Sequence, residues 1–141
     1  KARQRFLYRF WKLRDPDTTT VKNERLDVFR RCIEYANNNF TNPGQTYGWK
    51  TDRGRIVMKY GMPDNVDKHP AKTDERAYEE WFYNKVDGGA YFYFVDYRNN
   101  GNMRLVHSTA SSEIKCEDWK KQYIPAERTP IDPKKTDSNT Y

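Results

Sequence analysis

Tyr47-Gly-Trp-Lys-Thr-Asp-Arg-Gly-Arg-Ile-Val-Met-Lys-Tyr-Gly-Met-Pro-Asp64 is the stretch on which the fold turns. Glycines stand at 48, 54 and 61, where they permit backbone that other residues avoid. Trp49 adds a large apolar surface with one N–H to satisfy. Thr51 and Asp52 are residues that bond nearby backbone, and Arg53 and Arg55 present planar forks suited to carboxylates. Pro63 and Asp64 close the segment with a turn. Residues 53–60 carry two patterns. Ile56, Met58 and Tyr60 alternate as a strand does. Thr51 as a cap, Ile56, Val57 and Tyr60 as one face, and Gly61 before Pro63 as a stop fit a short helix, which is the favoured reading.

Upstream, residues 2–14 read as a helix, with Phe6, Phe10 and Leu13 at i, i+4, i+7 and Arg5, Arg9 and Lys12 opposite. Asp15-Pro16-Asp17 stops it. A second helix is expected over 21–40, capped by Thr20, with Leu26, Phe29, Ile33, Ala36 and Phe40 as its buried stripe. Downstream, residues 64–77 are polar and read as a loop. Three strands follow, over 78–85, 90–97 and 102–108, joined at the hairpin signals Asp87-Gly88 and Asn100-Gly101. The middle strand sets Ala90, Phe92 and Phe94 on one face and Tyr91, Tyr93, Val95 and Tyr97 on the other. A strand apolar on both faces needs cover on both. The helices cover one, and the tyrosine side must meet the tail, another domain or a partner. Residues 117–123 form a short helix at most, and 125–141, with three prolines and no periodicity, read as a polar tail or linker. The expected fold is α+β: two N-terminal helices on a three- to four-stranded antiparallel meander, with a domain over 1–124.

The chain has 141 residues, enough for one domain with a real core. Only 35% is hydrophobic but 16% is aromatic, so few, large side chains must carry that core. The net charge of +6 has one source. Lys1, Arg3, Arg5, Arg9, Lys12 and Arg14 are unaccompanied by any acid. Taking these six from the 26 basic residues leaves 20 against 20 acids. The basic segment reads first as a solvated or internally paired helix face; nucleic acid or an anionic membrane surface is the other reading. No apolar run is long enough to span a bilayer. The chain starts at Lys1 without initiator Met or signal peptide, as a processed product or excised piece would. Cys32 and Cys116 lack CxxC spacing and permit one disulfide or two buried thiols.

Taken together, the motifs resemble the GWxTD domain family of bacterial, mostly extracytoplasmic domains whose activity is unsettled. The resemblance rests on Gly48-Trp49-Lys50-Thr51-Asp52, continued by Arg53-Gly54-Arg55-Ile56 and Tyr60-Gly61-Met62-Pro63-Asp64. Before it stand Phe10-Trp11, Arg14-Asp15-Pro16-Asp17, Asn23-Glu24, Arg31, Tyr35-Ala36-Asn37 and Phe40. After it come Tyr78-Glu79, Trp81, Phe92 to Asp96 and Leu105-Val106-His107-Ser108. The resemblance implies a periplasmic or outer-membrane-associated setting, often as the C-terminal part of a longer exported protein. It implies no cofactor.

Three function classes follow. The first is a non-enzymatic scaffold or protein-interaction domain with a protein partner in the cell envelope. Its motif would be Arg14, Asp15, Trp49, Thr51, Asp52, Arg53, Arg55 and Asp64, tied into an Arg–Asp network between the end of the first helix and the central loop. Tyr91, Tyr93, Tyr97 and Trp81 would offer an interface. The second is a ligand-binding or hydrolytic domain using the Arg/Asp cluster around Trp49. The third is RNA binding through the tyrosine face, disfavoured because the basic residues lie on a different segment. Asp64, Asp67 and His69 have cation-binding residue types, but solvated loop residues are the expectation and no metal is assigned. Asp96, His107 and Ser108 lack a nucleophile elbow, so no catalytic residue is assigned.

Overall fold

The computed structural model describes residues 1–124. The expected tail over 125–141 lies outside them. In chain order the elements are α1 (Ala2–Lys12), α2 (Glu24–Phe40), a 3-10 turn (Gly48–Lys50), α3 (Asp52–Tyr60), β1 (Asn65–His69), β2 (Tyr78–Tyr83), β3 (Ala90–Val95), β4 (Arg104–Ser108) and α4 (Trp119–Tyr123). The four strands form one antiparallel meander in the order β1-β2-β3-β4. The fold is α+β, with N-terminal helices followed by this sheet.

Residues 53–60 are helical. Thr51 caps α3 by accepting from the Gly54 N–H at 3.1 Å. Gly61 ends the helix at φ +86°, a conformation that costs a β-carbon-bearing residue strain. The cap of α2 is Asn23 rather than Thr20: Asn23 Oδ1 accepts from Leu26 N at 2.9 Å. Thr20 instead donates its hydroxyl to Glu24 at 2.8 Å. Residues 65–69, expected as loop, are strand β1. Only Val66 among them is apolar, so alternation could not reveal it. Pairing with β2, in the register Val66–Trp81 and Lys68–Glu79, creates the strand. Its charged side chains suit an exposed sheet edge.

One face of the sheet meets α2 and α3. Cys32, Ala36, Phe40, Ile56, Val57, Trp81, Tyr83, Ala90, Phe92, Phe94 and Ala110 form the main core. The other face has its own smaller core of Val95, Val106 and Trp119, with Tyr78, Tyr93 and Tyr97 packed against it. On the tyrosine side of β3, Tyr93 finds its cover in α4, whose Trp119 ring lies 4.7 Å from it, while Tyr91 stays exposed. Cys32 and Cys116 are free thiols.

The first helix departs from expectation. It buries no side chain, and Phe6 and Leu13 of its presumed inner stripe are exposed. The sheet-facing surface is already filled by α2 and α3. α1 is attached to α2 through Trp11, 5.0 Å from Phe29 between ring centroids, and through Asn23 Nδ2 donating to Trp11 O at 2.6 Å.

Candidate functional site

The segment 48–55 is built on close backbone approach. A β-carbon on Gly48 would lie 1.8 Å from the Ala36 carbonyl oxygen, and one on Gly54 would lie 2.0 Å from the Gly48 carbonyl oxygen. Only hydrogen fits at either place, so α2, the 3-10 turn and α3 are stacked backbone on backbone. Thr51 locks the stack. Its hydroxyl donates to Gly48 O at 2.7 Å and accepts from Gly54 N. Asp52, the first residue of α3, reaches the sheet. Its Oδ2 accepts from Arg104 Nε and from the Leu105 backbone N–H, both at 2.9 Å, which satisfies a donor on edge strand β4. A carboxylate at this end of a helix also suits the helix dipole.

Arg53 turns inward. Its Nη1 donates to Glu79 Oε1 at 3.0 Å, both side chains being nearly enclosed. Its guanidinium lies 4.7 Å from the Phe40 ring centroid. Glu79 Oε2 in turn accepts from Trp81 Nε1 at 2.9 Å. The Arg53 and Glu79 charges answer one another, which is the condition for keeping them inside, while Arg53 Nε is buried without a hydrogen-bond partner. Glycine at 48, threonine at 51, aspartate at 52 and arginine at 53 thus each hold a distinct fold contact.

A comparison with known families matches residues 1–121 to the GWxTD domain. The chain belongs to the GWxTD domain family. No curated protein and no solved structure matches it.

In this GWxTD domain the outward face of α3 makes a second ionic centre. Glu113, in the loop after β4, takes a two-pronged bond from Arg55, at 3.2 Å and 2.8 Å. It also accepts from Lys59 Nζ at 2.6 Å and Tyr60 OH at 2.9 Å. Its side chain is only 4% exposed. Burial pushes the Glu113 carboxyl up, but the bonds from Arg55, Lys59 and Tyr60 outweigh it and hold the group at about 2. The same bonds raise Arg55 and Lys59.

The structure does not bring the expected residues into one Arg–Asp network. Arg14 lies over the Phe10 ring, 3.6 Å from its centroid, and donates to Phe10 O. Asp15 accepts from Asp17 N within its own turn. Asp64 accepts from Asn84 N at 2.7 Å, pinning the start of β1 to the β2–β3 hairpin. Asp52, Arg53 and Arg55 go to Arg104, Glu79 and Glu113. The reason is geometric: successive residues of a helix point in different directions, so adjacent charges diverge.

The expected tyrosine interface also divides. Trp81 is 1% exposed and is a core residue, because its register in β2 faces the helices. Tyr93 and Tyr97 pack beside Trp119 and Tyr123 of α4, and burial pushes the Tyr93 hydroxyl up to about 12. Tyr91 remains exposed, 4.8 Å from Phe82. Beside the motif, Tyr47 and Trp49 are 53% and 40% exposed, with Lys50 Nζ 5.0 Å and 5.3 Å from their ring centroids.

The remaining constellations resolve into local contacts. His107 Nδ1 accepts from Cys116 N, Ser108 Oγ donates to Tyr91 O, and Asp96 accepts from Asn100 N and Gly101 N. Asp67 pairs with His69 at 3.2 Å while Asp64 faces Asn84. Among the described residues no group of three His, Cys, Asp or Glu side chains could hold a metal ion, and no helix is long and apolar enough to cross a membrane.

Glu79 and Glu113 are the functional-looking residues that sequence reasoning passed over. For Glu79 a signal existed: alternation in β2 sets it on the same face as Trp81 and Tyr83, where a charge demands a cation. For Glu113, in a polar loop 58 residues from Arg55, there was none.

Proposed function

We propose that this GWxTD domain is a non-enzymatic scaffold or interaction module of an exported bacterial protein, meeting a protein partner in the cell envelope through Tyr47 and Trp49. The observation that carries this reading is the division of labour within the motif. Gly48, Thr51, Asp52, Arg53 and Gly54 are engaged inside the fold. Tyr47 and Trp49 project outward beside Lys50. Exposed aromatic rings next to a cation are the chemistry of interface anchors.

The ligand-binding or hydrolytic alternative needs acidic and basic groups that converge on one place. Asp52, Arg53 and Arg55 diverge to three separate partners, which favours the scaffold. RNA binding through the tyrosine face is disfavoured by α4, which lies on Tyr93 and Tyr97. The test places a photo-crosslinking residue at position 49 of the full-length protein in its native cells, followed by separation of envelope and cytoplasm. The reading expects a discrete protein adduct in the envelope fraction, absent when the crosslinker stands at Lys85. A cytoplasmic protein, or no adduct from position 49, overturns it.

A further inference from the structure

We propose that α1 is an interfacial helix that lies in the plane of an anionic lipid bilayer surface, Phe6, Phe10 and its leucines in the acyl boundary and its arginines among the headgroups. This goes beyond the partner reading and does not depend on it.

A helix of a water-soluble domain ordinarily buries its apolar stripe against a core. This one has no fully buried side chain: Phe10 and Trp11 are half-buried, Trp11 against Phe29 of α2, and the rest is exposed. Phe6 and Leu13 are 64% and 83% exposed, and Leu7 is exposed beside them. At helical spacing Phe6, Phe10 and Leu13 run along one line, with Leu7 widening it, and Trp11 at its edge is held against Phe29 of α2. Arg9 flanks that line on one side, and Arg3 and Arg14 on the other. Lys1, Arg5 and Lys12 occupy the far face.

Charge selects the occupant. The first 14 residues carry six cations and no anion, while the rest of the chain is balanced. The side chains of Arg3, Arg5 and Arg9 form no hydrogen bond or ion pair among the described residues, so the fold does not use them. A negatively charged surface would neutralise them. The apolar residues decide among negatively charged surfaces. Exposed leucines and phenylalanine on the same helix gain from entering hydrocarbon, which a lipid surface offers and a polyanion in water does not. Arginine stems reach from an apolar boundary to the headgroups, so Arg3 and Arg14 fit within the inserted arc.

The test is co-sedimentation of the full 141-residue chain with vesicles of phosphatidylcholine alone, or with about 30% phosphatidylglycerol added. The expected result is binding to the anionic vesicles, at least about tenfold weaker to the neutral ones. Two variants separate insertion from charge: Phe6→Gln with Leu13→Gln, and Arg3→Gln with Arg5→Gln and Arg9→Gln. Each should weaken binding about tenfold or more while circular dichroism stays unchanged, since none of these side chains is buried. Absence of binding to anionic vesicles overturns the proposal. So does full binding by the Phe6/Leu13 variant, which would leave charge alone as the cause. Tighter binding to polyuridylate or polyglutamate than to the vesicles overturns it in favour of a nucleic acid or an acidic protein.

Discussion

Replacing Glu113 by glutamine removes one charge and almost no volume, and its effect should depend on pH in a calculable way. In the folded protein the Glu113 carboxyl sits at about 2, below its ordinary 4.5. A group depressed on folding contributes stability that is complete above its unfolded value and is lost as pH falls through its folded value. The contribution is thus full at pH 7 and erodes between about 5 and 2. The displacement alone corresponds at pH 7 to at most about 3 kcal/mol. Arg55 and Lys59 are nearly half exposed, and solvent screening reduces this to about 1–2 kcal/mol. At pH 3 less than half of it remains. Urea unfolding followed by tryptophan fluorescence, on both proteins at pH 7 and pH 3, reads the difference directly. Glu113→Gln should be less stable than the parent by about 1–2 kcal/mol at pH 7 and by under about 1 kcal/mol at pH 3. A gap that is the same at both pH values, or absent at pH 7, refutes the clamp as described.

Glu79→Leu leaves Arg53 charged and enclosed without its partner; it should lower unfolding free energy by about 3–5 kcal/mol, read by urea titration. Thr51→Ala removes the cap of α3 and should cost about 1–2 kcal/mol by the same titration. Trp119→Ala uncovers the second face of the sheet and should cost about 3–5 kcal/mol. It should also bring the Tyr93 hydroxyl down from about 12 toward the ordinary tyrosine range, as ultraviolet titration would show.

The hairpins were legible because turn chemistry is local. Asp87 and Gly88 take positive φ at the first, as do Asn99 and Gly101 at the second. Residues 53–60 are helical because the Thr51 cap and the Gly61 stop are local signals that outweigh three alternating apolar residues. Strand β1 was hidden because an edge strand with one apolar side chain, Val66, owes its existence to its neighbour. The ionic centres were hidden for a related reason. Arg53 finds Glu79 26 residues away, and Arg55 finds Glu113 58 residues away. Sequence proximity of arginine and aspartate was a poor guide, since helix geometry sends adjacent side chains apart. The exposure of α1 was hidden because an amphipathic pattern states that a face needs cover and is silent on whether the fold supplies it.

The central claim is that the Gly-Trp-Lys-Thr-Asp motif is architecture, with its glycines demanded by backbone contact. The most direct test compares Gly54→Ala with Gly101→Ala by urea unfolding. At Gly101 a β-carbon meets nothing within 4 Å but sits at φ +80°, so alanine should cost about 1–2 kcal/mol. At Gly54 it would stand 2.0 Å from the Gly48 carbonyl oxygen and 2.6 Å from Trp49 Cα. Cooperative unfolding of Gly54→Ala should be lost, or its stability should fall well below that of Gly101→Ala. A Gly54→Ala protein as stable as the parent would contradict the account.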